Sequence, residues 1–326
     1  MSSATDRYAR QIILPEVGAN GQQKLQDAHI LVVGAGGLGV PVLQYLAGAG
    51  VGKITIVDPD VVSLSNLHRQ TLYGEKYIDQ PKAAVAAKIL SDLNSEIEIT
   101  SVVSPLDPSN ITTLSHGTTI LLDCADSFAV SYIMSDHCLA NNIPFFSASA
   151  LALSGYVGGF CAGAPSLRAL FPSLPNQAGN CATAGVLGPI VGTIGGLQAQ
   201  MALSCILELD PSPLGQLVRF DATSFRFSSF RFDEAEEPSF PILKFIAPAD
   251  LCHSDHIIEL RGEDEVEIPI TEHAARIDVE DYNPANTMPN KNQRAVFVCR
   301  SGLRAHRAAI KLQEKWNGDI VLVATG

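Results

Sequence analysis

Apolar and polar positions along the chain follow two rhythms. In the first half, short apolar runs alternate with segments of helical spacing. His29-Ile30-Leu31-Val32-Val33 is such a run, rich in β-branched types, and predicts a buried strand. A helix is expected from about Leu38 to Ala49, a strand over Lys53 to Val57, a helix from Pro81 to about Leu93 and a strand over Glu96 to Val103. Thr118 to Leu122 predicts another strand, Phe128 to about Asn141 a helix, and Pro144 to Ser149 a further strand. Two short helices precede the first strand, over Arg7 to Leu14 and Gly21 to Asp27. Beyond residue 150 the rhythm changes. Leu153 to Cys161 and Gly215 to Phe232 read as antiparallel strands or extended segments.

The acidic run Asp233-Glu234-Ala235-Glu236-Glu237 ends in Pro238 and marks a linker. Past it, Ile257 to Arg261 and Ala295 to Val298 read as strands, followed by a helix to about Trp316. The alternation predicts an α/β fold: a Rossmann-like, mostly parallel sheet with an antiparallel extension over 1–235, a linker over 236–250, and a small partial α/β domain over 251–326.

One segment tests the membrane class. No charge occurs between Ala169 and Leu207, and Ala184 to Leu207 is mostly apolar. Pro189, Thr193, Gln198, Gln200 and five glycines interrupt it, so a buried helix starting near Pro189 is expected rather than a span. The 326 residues suffice for one large domain or two. A net charge of −12 argues against general nucleic-acid binding, which needs a cationic surface. The seven cysteines contain no C-x-x-C pair, which excludes a disulfide framework and a tetrahedral zinc pattern by spacing. With no apolar signal core at the N-terminus, a reducing cytoplasm is expected.

The candidate chemistry begins at Gly34-Ala35-Gly36-Gly37-Leu38-Gly39. Glycines between a strand and a helix let the backbone approach a phosphate, and the helix aims its first amides at it. Asp58, ending the second strand, is placed for a ribose hydroxyl. In the loop that follows, Asn66, Arg69 and Gln70 can donate to phosphate oxygens. Lys82 opens a helix, where the dipole disfavours a cation; a nearby phosphate would offset that cost, and an exposed lysine is the alternative. Asp126 follows a parallel strand at its ligand-facing end and is a candidate magnesium ligand. Cys299 opens a strand-to-helix turn beside Arg300 and Arg304, an environment expected to stabilise a thiolate or persulfide; an inert turn cysteine is the alternative.

Together these motifs resemble a known family. Residues 7 to about 232 are similar to the ubiquitin-activating-enzyme-like adenylyltransferases that serve sulfur-carrier proteins, including those of molybdopterin-synthase and thiamine biosynthesis. The matching motifs are R-Y-A-R-Q-I at 7–12, G-A-G-G-L-G at 34–39, D-P-D at 58–60, S-N-L-H-R-Q at 65–70, Q-P-K-A at 80–83 and N-C-A-T-A-G-V-L-G-P at 180–189. Residues 251–326 resemble a rhodanese domain through C-R-S-G-L-R at 299–304. The resemblance implies that Gly37 lies against the phosphates, that Asp58 binds ribose, and that Ser65, Asn66 and Arg69 hold the triphosphate with Lys82. Leu67, His68 and Gln70 belong to the same nucleotide motif. It implies Asp126 with Ser127 at the magnesium and the point of attack, Arg10 supplied across a homodimer, and Cys181 as a loop cysteine able to join the carrier.

Three departures qualify this. The family usually carries two C-x-x-C pairs that bind zinc. Here the first pair's positions are Ser166 and Ala169, and the second falls near Asp233 to Phe240, so no zinc is expected. The usual acid-asparagine pair is Asp126-Ser127, and an arginine often found soon after is replaced near Ser131. The rhodanese-like part lacks an H-I-P-G-A motif and the usual final helix, implying a degenerate or clipped domain.

The expected function is ATP- and magnesium-dependent adenylation of a ubiquitin-like sulfur carrier with a Gly-Gly C-terminus. Sulfur transfer through Cys299 and Cys181 would then give a thiocarboxylate, with a cysteine desulfurase as a further partner. Two other classes stand beside it: a non-catalytic scaffold that binds a carrier or desulfurase, and a nicotinamide-dependent oxidoreductase. The latter leaves Arg10, Arg69, Gln70 and Lys82 without roles.

Overall fold

The computed structural model describes residues 7–172, 185–239 and 242–325. In chain order its main elements begin with α1 (Ala9–Ile12), α2 (Gly18–Asp27), β1 (His29–Val33), α3 (Gly39–Ala49), β2 (Lys53–Val57), α4 (Lys82–Leu93) and β3 (Glu98–Val102). Then come α5 (Ile111–Leu114), β4 (Ile120–Asp123), α6 (Phe128–Asn141), β5 (Phe145–Leu151), β6 (Ser154–Phe160), α7 (Leu167–Leu170), α8 (Gly188–Ile206), β7 (Gln216–Asp221) and β8 (Arg226–Arg231). The last part holds β9 (Lys244–Phe245), β10 (His256–Glu259), β11 (Ala275–Arg276), β12 (Ala295–Cys299), α9 (Leu303–Gln313) and β13 (Ile320–Ala324).

The first sheet has the order β3-β2-β1-β4-β5-β6-β7-β8. Strands β3 to β5 are parallel, and β6, β7 and β8 extend the sheet antiparallel. The unbroken apolar run of β1 follows from burial on both faces. Ile30 and Val32 pack in one core with Leu43 and Leu46 of α3 and Ile194 of α8. Leu31 and Val33 face the opposite core with Ala129 and Ile133 of α6.

The second sheet is parallel throughout, in the order β11-β10-β12-β13-β9. Its Phe297, Cys299 and Leu322, with Ala305 of α9, belong to the same core as Leu31 and Phe160 of the first sheet and Ala129 of α6. Helix α6 therefore lies between the two sheets. The stretch expected as a linker, 236–250, contains β9, an edge strand of the second sheet. Two residues are too few to show periodicity, which is why the pattern did not reveal it.

α8 is the one helix among the described residues long and apolar enough to cross a membrane. It packs on α3, β5 and β6, with Ile194, Gln198 and Ala202 fully buried, as a core helix does. The first helix, Ala9–Ile12, is shorter than its expected range, with Tyr8 at its N-cap outside helical geometry.

Candidate functional site

Close backbone approach shapes the loop between β1 and α3. Gly34 has φ +98°, and a Cβ there would sit 2.6 Å from the Cys124 carbonyl oxygen. A Cβ on Gly39 would sit 1.9 Å from the Gly34 carbonyl oxygen, so the first turn of α3 folds directly onto the loop. Gly36 faces the Gln70 carboxamide, and Gly37 faces Val191 of α8. Tyr73, which no sequence motif had marked, donates its hydroxyl to the Ala35 carbonyl at 2.8 Å.

Asp58 ends β2 and is buried. Its Oδ2 accepts from the Ala35 N–H at 2.7 Å, and its Oδ1 from the Asp60 N–H at 2.8 Å. Burial pushes its carboxyl above the usual range, against the lowering effects of Lys82 and these two amides. A carboxylate oxygen has two acceptor sites, so capacity for a ribose hydroxyl remains. Lys82 opens α4 and is 4% exposed, which rules out the exposed-lysine alternative. Its Nζ donates to Asp60 Oδ2 at 2.8 Å. The cost of a cation at a helix start is thus offset within the protein itself.

The loop after β2 brings its polar residues together. Arg69 donates to Asn66 Oδ1 at 2.8 Å and lies 3.0 Å from His68 Nε2. Ser65 Oγ pairs with Ser63 Oγ at 2.8 Å. Gln70 is buried, and its Oε1 has no protein partner. Leu67 packs its side chain on the core beneath the loop, which leaves only its backbone for a ligand. The start of α8 abuts this loop: a Cβ on Gly188 would lie 2.6 Å from the His68 carbonyl oxygen.

Val33 pairs with Asp123 across β1 and β4, so the end of β4 lies beside the glycine loop. Asp126 is exposed there, and Ser127 leads into α6 in an extended conformation. An exposed carboxylate fits magnesium, which takes oxygen ligands and keeps several waters. Among the described residues, no three His, Cys, Asp or Glu side chains converge on a metal position. The neighbouring Asp123 was not singled out in the sequence, yet it is wholly buried and its carboxyl is pushed up to about 6, mainly by desolvation.

Arg10 does not join these residues within one chain. It is exposed on α1. The adjoining Tyr8 ring packs on Gly50, at the far end of the 11-residue α3 from Gly39. That end is roughly 16 Å along the helix from the glycine loop. Cys181 lies outside the described residues.

The positions expected for the first zinc pair hold a different device. Ser166 donates its hydroxyl to Glu237 Oε2 at 2.6 Å and its N–H to Oε1 at 2.7 Å. The same hydroxyl accepts from the Arg168 and Ala169 N–H groups, capping α7. A serine and a glutamate already committed to each other, without a thiolate, do not fit tetrahedral zinc.

Cys299 corrects one expectation. The backbone N–H groups of Gly302 and Ala305 point at its Sγ, at 3.1 and 3.3 Å, as the strand-helix turn predicts. But the residue is fully buried, and burial raises its thiol above the ordinary value, outweighing both amides and Arg304. Arg304 also pairs with Glu265, and Arg300 points to solvent. The thiolate is not favoured in this conformation.

The ThiF family model matches residues 8–241. The chain is 42% identical over 229 residues to the adenylyltransferase and sulfurtransferase MOCS3 of Drosophila grimshawi, covering 69% of this chain and 51% of that protein. It is 37% identical over 226 residues to the SAMP-activating enzyme E1 of Haloferax volcanii, covering 69% of this chain and 84% of that one. The chain spans about half the length of the MOCS3 relatives it matches. Among solved structures, E. coli MccB with ATP gives a TM-score of 0.63 at 21% identity, over 73% of this chain and 75% of that one. At that identity the likeness establishes the fold.

Proposed function

The chain belongs to the ThiF family, and from that premise we propose that it adenylates the C-terminal glycine of a ubiquitin-like sulfur carrier at the expense of ATP. The observation that carries this reading is the line of contacts from Ala35 through Asp58 and Asp60 to Lys82, which brings a buried carboxylate and a buried lysine beside one glycine loop. A nicotinamide enzyme gives the buried lysine no role.

In the reaction a carboxylate oxygen of the carrier forms a bond to the α-phosphorus, and the bond to the bridging oxygen breaks. Pyrophosphate leaves with the electron pair, and an acyl-adenylate remains. No proton need be removed from the nucleophile, so catalysis rests on positioning and on neutralising charge as it moves to the leaving group. Asp58 holds the ribose. Asn66 and Arg69 hold the phosphates, for which Arg69 exchanges its bond to Asn66. Lys82 shifts from Asp60 toward the phosphates. Bound magnesium would neutralise phosphate charge, with Asp126 as its protein ligand. Arg10 completes the site from a second copy of the chain, in keeping with its distance from the glycine loop in its own.

Sulfur transfer is the second half of the proposal: a cysteine desulfurase loads Cys299 as a persulfide, its terminal sulfur bonds the acyl carbon as AMP leaves, and the Cys181 thiol then accepts the Cys299 sulfur in a disulfide, releasing the thiocarboxylate. It requires Cys299 to leave its buried position. That burial, with Ser127 and Ser131 at the altered positions, favours one competing reading: a scaffold that binds a carrier or desulfurase without adenylating it. The proposed setting is cytoplasmic. ATP–pyrophosphate exchange in the presence of Gly-Gly carriers distinguishes the two readings, since only an adenylating enzyme returns label from pyrophosphate to ATP.

A further inference from the structure

The segment that carries Asp126 is held from several directions, and one residue joins most of them. Asp123 ends β4 with its side chain wholly buried. Its Oδ1 accepts from the Ala125 N–H at 3.1 Å, closing a turn over Cys124. Its Oδ2 accepts from Ser147 Oγ of β5 at 2.7 Å. The Ser131 hydroxyl of α6 donates to the Ser127 carbonyl at 3.2 Å. The Asp123 backbone carbonyl accepts from Gln198 Nε2 of α8 at 2.8 Å, while Gln198 Oε1 accepts from Cys124 Sγ. On the other side, the Cys124 carbonyl lies where Gly34 allows no side chain. The turn is therefore clamped between the glycine loop and the Asp123 carboxylate, and Asp126 is the next residue out. Cys124 and Asp126 from the turn and Tyr156 from β6 are the titratable groups facing Asp123.

A polar group kept out of water is costly unless it is hydrogen-bonded, and the Ala125 N–H and Ser147 hydroxyl that satisfy this one also fix its orientation. We propose that Asp123 is a positioning residue: through Ala125 and Ser147 it fixes the direction of Asp126 and Ser127 at the reacting end of the nucleotide site. It touches neither nucleotide nor carrier. The inference rests on the adenylation reading for its kinetic consequence but not for its structural one.

The test compares Asp123→Ala, Asp123→Asn and Ser147→Ala in the full chain. Asparagine keeps an oxygen for the Ala125 N–H and an amide for Ser147, so it is the conservative rescue. For carrier-dependent ATP–pyrophosphate exchange, Asp123→Ala should lower kcat by about 10- to 100-fold, the cost of misplacing a reacting group. KM for ATP should stay within about twofold, because the ribose and phosphate contacts are elsewhere. Asp123→Asn should recover most of the loss. Equal kcat in Asp123→Ala and the parent, or a change confined to KM, would overturn the proposal. Amide hydrogen exchange at Ala125 to Ser127 gives an answer even if the parent shows no adenylation. Protection should fall in Asp123→Ala and in Ser147→Ala, and hold in Asp123→Asn. Unchanged protection would overturn the proposal on its own. Should the alanine variant fail to fold, Ser147→Ala carries the same comparison with the parent.

Discussion

Lys82 Nζ lies 2.8 Å from Asp60 Oδ2, with the lysine side chain 5% exposed and the aspartate 66%. The buried partner has its position set by packing, and the exposed one can swing away. On the proposed function, Asp60 holds the place of an anion that a phosphate would take. Substituting Lys82 by alanine is expected to cut exchange by about 100-fold or more, the usual effect of removing one preorganised charge from a developing anion. Equilibrium ATP binding should change far less, since Asp58 and the glycine loop remain. Isothermal titration beside the exchange assay checks both; unchanged turnover removes Lys82 from the mechanism.

The Ser166–Glu237 contact ties the turn before α7 to the chain leaving β8. Arg168 adds to it, pairing with Asp136 of α6 and donating to the Leu243 carbonyl just before β9. Ser166→Ala removes a part-buried hydrogen bond to an exposed carboxylate together with the cap of α7, and should cost about 1–2 kcal/mol. Tm should fall by several degrees. A strong chelator should leave Tm of the untreated chain unchanged. A chelator-induced drop would contradict the clip as the connection at this point.

Asp123 sets a pH dependence of stability. Its folded-state carboxyl is raised to about 6 from an ordinary 3.8, mainly by desolvation. Between those two values the folded chain keeps a proton that the unfolded chain has released. Its stabilising contribution is therefore complete below about pH 4 and is lost as pH rises through about 6. Asp123→Asn removes the ionisable group, so its stability relative to the parent should increase from pH 4 to 7, by on the order of 3 kcal/mol. Denaturant melts at pH 4.5 and 7.5 check the sign. A parent-to-variant difference that is constant with pH would show that Asp123 does not titrate in that window.

Much of this architecture could be read from the chain. Ile30 to Val33 and Ile54 to Val57 had to be strands buried on both faces, and the acid after the second strand had to meet the loop after the first. What stayed hidden depends on partners distant in sequence. Glu237 sits in an acidic run that reads as solvated linker, and only folding brings it 71 positions back to Ser166. Asp123 and Asp126 look alike in Asp-Cys-Ala-Asp, yet one is wholly buried and the other exposed. For Cys299 the converging amides were legible from the strand-turn-helix pattern. The packing of Phe245 and Ala129 against Gly302, which closes the turn off from water, was not.

That packing predicts thiol reactivity. Cys252 is exposed and Cys299 is buried with a raised thiol pKa. A soluble alkylating reagent at pH 7 should label Cys252 at least tenfold faster than Cys299, since only the accessible thiolate reacts (~10-fold is a lower bound from exposure alone). Mild denaturant that separates the second sheet from α6 should release Cys299. Peptide mapping after timed labelling reads both sites. Equal rates in the native chain would mean that the Cys299 turn opens freely.

Whether the chain adenylates a carrier is read by ATP–pyrophosphate exchange on the purified chain, with and without small carriers ending in Gly-Gly. Exchange that appears only with a carrier and is lost in Lys82→Ala is the predicted result. ATP binding without exchange, whichever carrier is supplied, would contradict the claim and leave the chain as a scaffold built on a nucleotide-binding fold.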